Sequence, residues 1–335
     1  MKAQTVLALT MGDPAGIGPE ITLKALANNT FPSDCRLFVI GDLPVLGQAG
    51  KCIGTPVNLY AMSSINDYQE GCINVLDMHL IAPRDFTIGE ADKQCGKAAY
   101  TYIIKAISLA REGLIDGVVT NPINKTALNM AEINFPGHTE IFAQETQAED
   151  YSMLFMLDSI SVIFVTTHCS IRDALKRITK ETVYNSIIRL NDTLKSIGLD
   201  EPYIGVSGLN PHAGENGLFG NEEERFIAPA IKQAQEEGII VEGPLPPDTA
   251  FIKGFDGEFD GIVSMLHDHG FVALKSRDFE HGGNITVGLP IIRTSVGHGT
   301  AFDIAGKGEA SETSLLAAIY AAYRMSKKKK TEPVA

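Results

Sequence analysis

The sequence has 335 residues, with 28 Lys and Arg against 41 Asp and Glu and a formal net charge of −13. That balance excludes a binder of nucleic-acid backbones, whose surface must be basic; the run of lysines at 327–330 adjoins the C-terminus, where it reads as a solvated tail. A composition 44% hydrophobic and 21% charged, with 32 Gly and 16 Pro, is that of a folded globular chain, and the length exceeds one ordinary core, so two lobes are expected.

In chain order, short Val- and Ile-rich runs predict strands at 6–10, 37–40, 117–120, 162–166, 203–207 and 261–265. Between them, helical periodicity predicts helices at 19–27, 97–113, 141–146, 180–196, 222–237 and 314–326, the first opened by Pro19. This alternation is the pattern of repeated βα units on a largely parallel sheet. With no repeat and no Ser/Gly linker, the two lobes are expected to be interleaved. No apolar run approaches the ~18–20 residues of a membrane span. The chain enters its first strand without a signal-peptide pattern, so no membrane association and a cytoplasmic location are expected. Five scattered cysteines without a C-x-x-C pair predict free thiols.

In doubly wound sheets ligands bind beyond the carboxyl ends of the strands. Three predicted strands run into histidines there: the strand at 162–166 leads to His168, that at 203–207 to His212, and that at 261–265 to His267. Three imidazoles on one rim have the composition of a divalent-metal site with coordination positions left for substrate. Asp268 is placed to orient a ligating imidazole, and His269 is read as a neighbour only. A phosphorylated or dianionic substrate needs cations and N–H donors. Candidates are Lys275, Asn284 and Arg293, and the helix start Gly137-His138-Thr139-Glu140. The Gly-rich 11–20 segment matches neither a P-loop nor G-x-G-x-x-G, so tight-turn packing explains it as well as cofactor binding. The segment 120–125 reads as a site wall.

Taken together, Met11–Ile21, Thr120–Lys125, Gly137–Glu140, Asn210-Pro211-His212-Ala213-Gly214-Glu215, Pro247-Asp248-Thr249, His267-Asp268 and Ile292-Arg293-Thr294-Ser295 resemble the 4-hydroxythreonine-4-phosphate dehydrogenase family, in order along nearly the whole chain. The resemblance implies an isocitrate/isopropylmalate dehydrogenase-like α/β fold of two interleaved α/β/α lobes. One lobe would comprise 1–125 with 286–326 and the other 126–285, with the active site in the cleft between them and 327–335 as a disordered tail. It implies NAD and one divalent metal (Zn, Mg, Mn or Co) held by His168, His212 and His267 at the interface of a homodimer, one histidine coming from the partner. It further implies substrate contacts by His138, Thr139, Lys275, Asn284 and Arg293. The segment 296–308, V-G-H-G-T-A-F-D-I-A-G-K-G, is similar to the adenosine loop of isopropylmalate dehydrogenases. It implies cofactor contacts by His298, Gly299, Thr300, Ala301 and Asp303, the acidic residue favouring NAD over NADP. Lys275, Asp248 and a metal-bound water are the candidate general bases.

The sequence departs from the family in having His269 where Gln is usual and Gly297 where Asp is usual. Its 210–223 segment is closer to the branch acting on 4-phospho-D-threonate or 4-phospho-D-erythronate. The expected reaction is therefore oxidation of the C3 hydroxyl of such an acid, then decarboxylation. The alternative is the 4-phosphohydroxy-L-threonine dehydrogenase of pyridoxal phosphate (vitamin B6) synthesis. More remote alternatives are a metal-dependent hydrolase or aldolase, or a non-catalytic sugar-phosphate sensor.

Overall fold

A computed structural model describes residues 4–157, 159–278 and 281–331. The chain forms two compact units, one from residues up to 149 together with those from 289 onward, the other from 150–288. In the first unit the strands are β1 (Thr5–Thr10), β2 (Cys35–Gly41), β3 (Leu59–Met62), β4 (Ile73–Asp77), β5 (Gly117–Thr120) and, after the excursion into the second unit, β12 (Ile292–Val296). They pair in the order β3-β4-β2-β1-β5-β12, every pair parallel. Parallel strands buried on both faces must be apolar along their length, which is why Leu7, Leu9, Val39, Val118 and Val119 form uninterrupted runs at 0% exposure.

Helices α1 (Gly18–Asn28), α2 (Leu43–Ala49), α3 (Lys93–Arg111), α4 (Lys125–Met130), α5 (His138–Thr146) and α11 (Thr313–Thr331) complete this unit. α4 and α5 belong here, although the sequence reading assigns 126 onward to the other lobe. The reason is packing: Gly96 of α3 lies so close to α4 that an added Cβ would sit 2.2 Å from the Ala127 carbonyl oxygen. Ile141 and Phe142 of α5 join the core of Ala8, Phe38 and Val39. α11 carries 327–331, where a tail is expected from the sequence; 332–335 lie outside the described residues.

The second unit contains β6 (Ser152–Met156), β7 (Ser161–Phe164), β8 (Ile204–Ser207), β9 (Val241–Leu245), β10 (Gly261–Ser264) and β11 (Gly283–Val287), in the order β11-β6-β7-β10-β8-β9. β7, β10, β8 and β9 are mutually parallel, whereas β6 runs antiparallel to both β11 and β7. Its helices are α6 (Ile171–Arg177), α7 (Lys180–Ser196), α8 (Ala228–Glu236), α9 (Pro247–Phe255) and α10 (His267–Arg277). α7 starts where the sequence says, because Thr179 caps it through the Thr182 amide. Among the described residues no helix is long and apolar enough to cross a membrane, and the five cysteines are free thiols.

Candidate active site

β7, β10 and β8 are neighbouring parallel strands, so their carboxyl ends open on one edge, with β10 in the middle. The chain beyond them reaches His168, His267 and His212 respectively. Thr166 Oγ1 donates to the Met265 carbonyl at 2.7 Å, tying the first two exits side by side. The rings of His168 and His267 lie 5.5 Å apart, centre to centre. Two imidazoles sharing one tetrahedral ion at ~2.1 Å have ring centres about 5 Å apart, so this pair fits a metal. Asp268 Oδ1 meets His267 Nδ1 at 2.7 Å, the contact expected of an orienting carboxylate; with that N–H donated, the Nε2 lone pair is the one available to a metal.

Sequence reasoning leaves the geometry after Leu266 open, and the structure makes it a helix starting at His267 itself. Helical spacing puts His267, Phe271 and Lys275 on one face. The Phe271 ring centre lies 4.5 Å from that of His267 and 5.3 Å from Lys275 Nζ. His269 faces elsewhere, lining a groove between α9 and α10 with Asp248, Phe251 and Arg277, to which neither His267 nor Lys275 contributes. Asn284, the second residue of β11, is half-buried.

His212 does not join the other two. Among the described residues no three His, Cys, Asp or Glu side chains gather around one point. Its loop is unusual: residues 212–217 all have positive φ, including His212 (51°), Ala213 (53°), Glu215 (43°) and Asn216 (56°). Each non-glycine residue so held costs roughly 1–2 kcal/mol, so something outside the run must hold it. Glu223, which sequence reasoning misses, does so, accepting from the amides of Leu209 and Asn210 at 2.8 and 2.7 Å. Burial pushes its carboxyl up, and the hydrogen bonds from Asn210 and Leu209 outweigh that and hold it below its ordinary value.

In the first unit, Arg293 is 4% exposed; it donates from Nη2 to Thr120 Oγ1 at 2.8 Å and lies over the Phe142 ring. Burial lowers its pKa to about 10, so it stays a cation at neutral pH. His138, the first residue of α5, is held well below its ordinary value by burial and then by the Arg293 charge, and is neutral. Its Nε2 is buried with no partner among the described residues. α5 has no side-chain cap, so His138, Thr139 and Arg293 surround amides suited to an anion.

The 296–308 segment is fastened to α1. Glu20 accepts from the amides of Gly306, Gly308 and Ala310 at 3.0, 3.4 and 3.1 Å, while Lys24 Nζ donates to the carbonyls of Gly308 and Ala310. The Ile17 amide donates to the Thr300 carbonyl at 3.1 Å. The glycines of the 11–20 segment serve close approach: an added Cβ at Gly12 (φ 78°) would lie 2.5 Å from the Pro122 oxygen, and one at Gly18 2.3 Å from that of Met11. His298 Nδ1 contacts the Gly299 carbonyl at 3.0 Å, Ala301 has φ 40°, and Asp303 is exposed.

Asp13, fully buried in this loop, accepts from the Ala15 amide at 2.9 Å; burial first, with Asp92 adding, pushes its carboxyl from 3.8 up to about 6. A folded value above the unfolded one means that the protonated form favours folding. That contribution is whole below pH 3.8 and is lost as pH rises through about 6. Asp13→Asn, which keeps the Ala15 bond, therefore has little effect near pH 4 and stabilises near pH 7.5 by up to roughly 3 kcal/mol. Thermal unfolding at the two pH values checks this; an equal Tm difference at both refutes it.

Residues 33–322 match the family described as pyridoxal phosphate biosynthetic protein PdxA. The chain belongs to the PdxA family. It is 46% identical over 317 residues to the D-threonate 4-phosphate dehydrogenase of Cupriavidus necator, covering 94% of this chain and 95% of that one. The solved 4-hydroxythreonine-4-phosphate dehydrogenase of Klebsiella pneumoniae is 40% identical and superposes with a TM-score of 0.86, covering 96% of this chain and all of that one. A β-decarboxylating dehydrogenase from Thermococcus kodakarensis, 16% identical with a TM-score of 0.51 over 95% and 82% of the two chains, shares the fold alone. This PdxA member is thus an oxidoreductase of the dehydrogenase class, which sets aside the hydrolase, aldolase and sensor alternatives.

Proposed function

We propose that this dehydrogenase uses NAD and a divalent metal to oxidise the C3 hydroxyl of a four-carbon 4-phosphorylated acid, 4-phospho-D-threonate or 4-phospho-D-erythronate. The C3 hydrogen leaves as hydride to NAD and the hydroxyl proton leaves to a base. The C1 carboxylate, now β to a ketone, departs as CO2; the C1–C2 bonding electrons pass to C2 as the enolate of the C3 ketone, which takes a proton to give the ketone product. The observation that carries this reading is the delivery of His168, His267 and His212 by three adjacent parallel strand ends. A metal held by these histidines supplies Lewis-acid polarisation of the substrate oxygens.

Lys275 and Asp248 are the candidate bases. Lys275 shares the helix face of His267, so its Nζ is the group we assign to the C3 hydroxyl proton. Arg293, His138 and Thr139 hold the phosphate. Lys275 and Asn284 serve the other oxygens. His298, Gly299, Thr300, Ala301 and Asp303 contact the NAD adenosine, where the Asp303 carboxylate accepts from a ribose hydroxyl and repels a 2′-phosphate.

The working form is a homodimer, each metal receiving one histidine from the partner. Two observations support it. One chain pairs His168 with His267 and leaves His212 apart. Exposed apolar side chains, Ile171, Leu175, Leu218, Phe219 and Val272, lie on the segments that follow the three histidines.

The Klebsiella relative supports a second reading, oxidation of 4-phosphohydroxy-L-threonine in vitamin B6 synthesis. NADH formation by metal-replete protein, given the three substrates in parallel, decides. Turnover is expected with the phosphorylated sugar acids. Preference for the amino acid establishes the second reading, and inactivity with all three refutes both.

A further inference from the structure

We propose that Glu223 is a positioning residue for the metal. By fixing the loop that carries His212, it sets how tightly His212 binds the ion without touching the ion itself. This rests on the metal reading given above.

Glu223 is 5% exposed and stands at the start of the π-helical segment Glu223–Ile227. Oε1 takes both the Leu209 and Asn210 amides, and Oε2 takes the Asn210 side-chain amide at 2.9 Å. These are the residues from which the left-handed 212–217 run departs. The carboxylate also fills the inside of the turn. A Cβ added to Gly214 would lie 2.8 Å from Oε2, and one added to Gly208 3.2 Å from Oε1. Among the described residues no cation pairs with it; its charge is met by amides. Glu222 adds a second hold on the Asn210 side chain at 2.8 Å.

A chain that needed only to reverse direction would not require six consecutive positive-φ residues and a buried anion to secure them. The arrangement holds the backbone that leads into His212, while the exposed His212 ring meets Glu215 Oε2 through Nδ1 at 3.3 Å. An imidazole that is held in place loses less freedom when it binds a metal, so the clamp should appear as affinity.

The test is calorimetric titration of the metal-free full chain with Zn2+ at 25 °C, alongside thermal unfolding in chelator. Proteins compared are wild type, His212→Ala, Glu223→Gln and the double variant. Asn210→Ala, which removes only the side-chain bonds to Glu222 and Glu223, is the milder variant that carries the test where Glu223→Gln does not fold. Glu223→Gln is expected to weaken Zn2+ binding by about 10- to 100-fold, with a smaller loss for Asn210→Ala. The double variant should bind no more weakly than His212→Ala, because Glu223 acts through that ring. A lowered Tm with unchanged affinity in Glu223→Gln and Asn210→Ala overturns the inference alone, as does an additive loss in the double variant. Absence of binding by wild type of Zn2+, and of Mg2+, Mn2+ and Co2+ titrated in the same way, overturns the metal reading, and the inference with it.

Discussion

His267→Ala lowers kcat/KM by about 10³-fold or more, roughly 4 kcal/mol of lost transition-state stabilisation, while the protein stays folded. His267 is the candidate ligand that follows the central strand of the three; it faces His168, receives the Asp268 carboxylate and heads the helix face that carries Lys275. Its loss removes the proposed metal donor, while Phe271, which lies against Lys275 Nζ, stays in place. The fold should survive, since its side chain is one-third exposed and the aromatic packing beneath is carried by Phe164 and Phe271, whose stacked ring centres are 4.7 Å apart. Steady-state kinetics across a metal titration and circular dichroism check this. A variant with wild-type turnover and metal affinity places the metal elsewhere.

The strand ends that matter were legible because they end long apolar runs in a parallel sheet, a pattern with little ambiguity. Of the six strands that sequence reasoning misses, β4, β6 and β12 are largely buried runs like those it finds, and the other three lack that pattern. β3 is a half-buried edge strand, β9 contains Gly243-Pro244, and β11 opens with Gly-Asn. α10 was hidden for another reason. Leu266 gives it no side-chain cap, and His-Asp-His-Gly is a poor helix opening by propensity. Yet it is this helix that puts Lys275 two turns along the face of His267, so the relation between two correctly chosen residues was invisible. The buried carboxylates were illegible altogether. Glu223 reads as one of three consecutive glutamates on a solvated helix, and Glu20 as an ordinary first-turn acid; their partners are backbone amides, which have no signature in side-chain sequence. The first boundary between units was displaced for the same kind of reason, since the contact that keeps α4 with α3 is a glycine against a carbonyl.

Glu20→Ala is expected to be strongly destabilising although it lies outside the hydrophobic core. The carboxylate is 1% exposed and accepts from three amides of one loop, two through Oε2 and one through Oε1. Removing it leaves those donors under-satisfied at about 1–3 kcal/mol each, partly offset by water, for a net loss of roughly 3–5 kcal/mol. Lys24 cannot take over, because its ammonium also donates, to the carbonyls of Gly308 and Ala310. The 306–310 turn is thus gripped by an acceptor and a donor one helical turn apart on α1, and losing one leaves the other holding a loose loop. If 298–303 contacts the cofactor as proposed, the gentler Glu20→Gln, which keeps one acceptor oxygen, raises the KM for NAD by about tenfold, some 1.4 kcal/mol, with kcat little changed. Thermal unfolding of Glu20→Ala and NAD saturation curves for Glu20→Gln check the two effects separately. A Tm loss in the first with unchanged NAD affinity in the second leaves the clamp a purely structural element and detaches the loop from the cofactor.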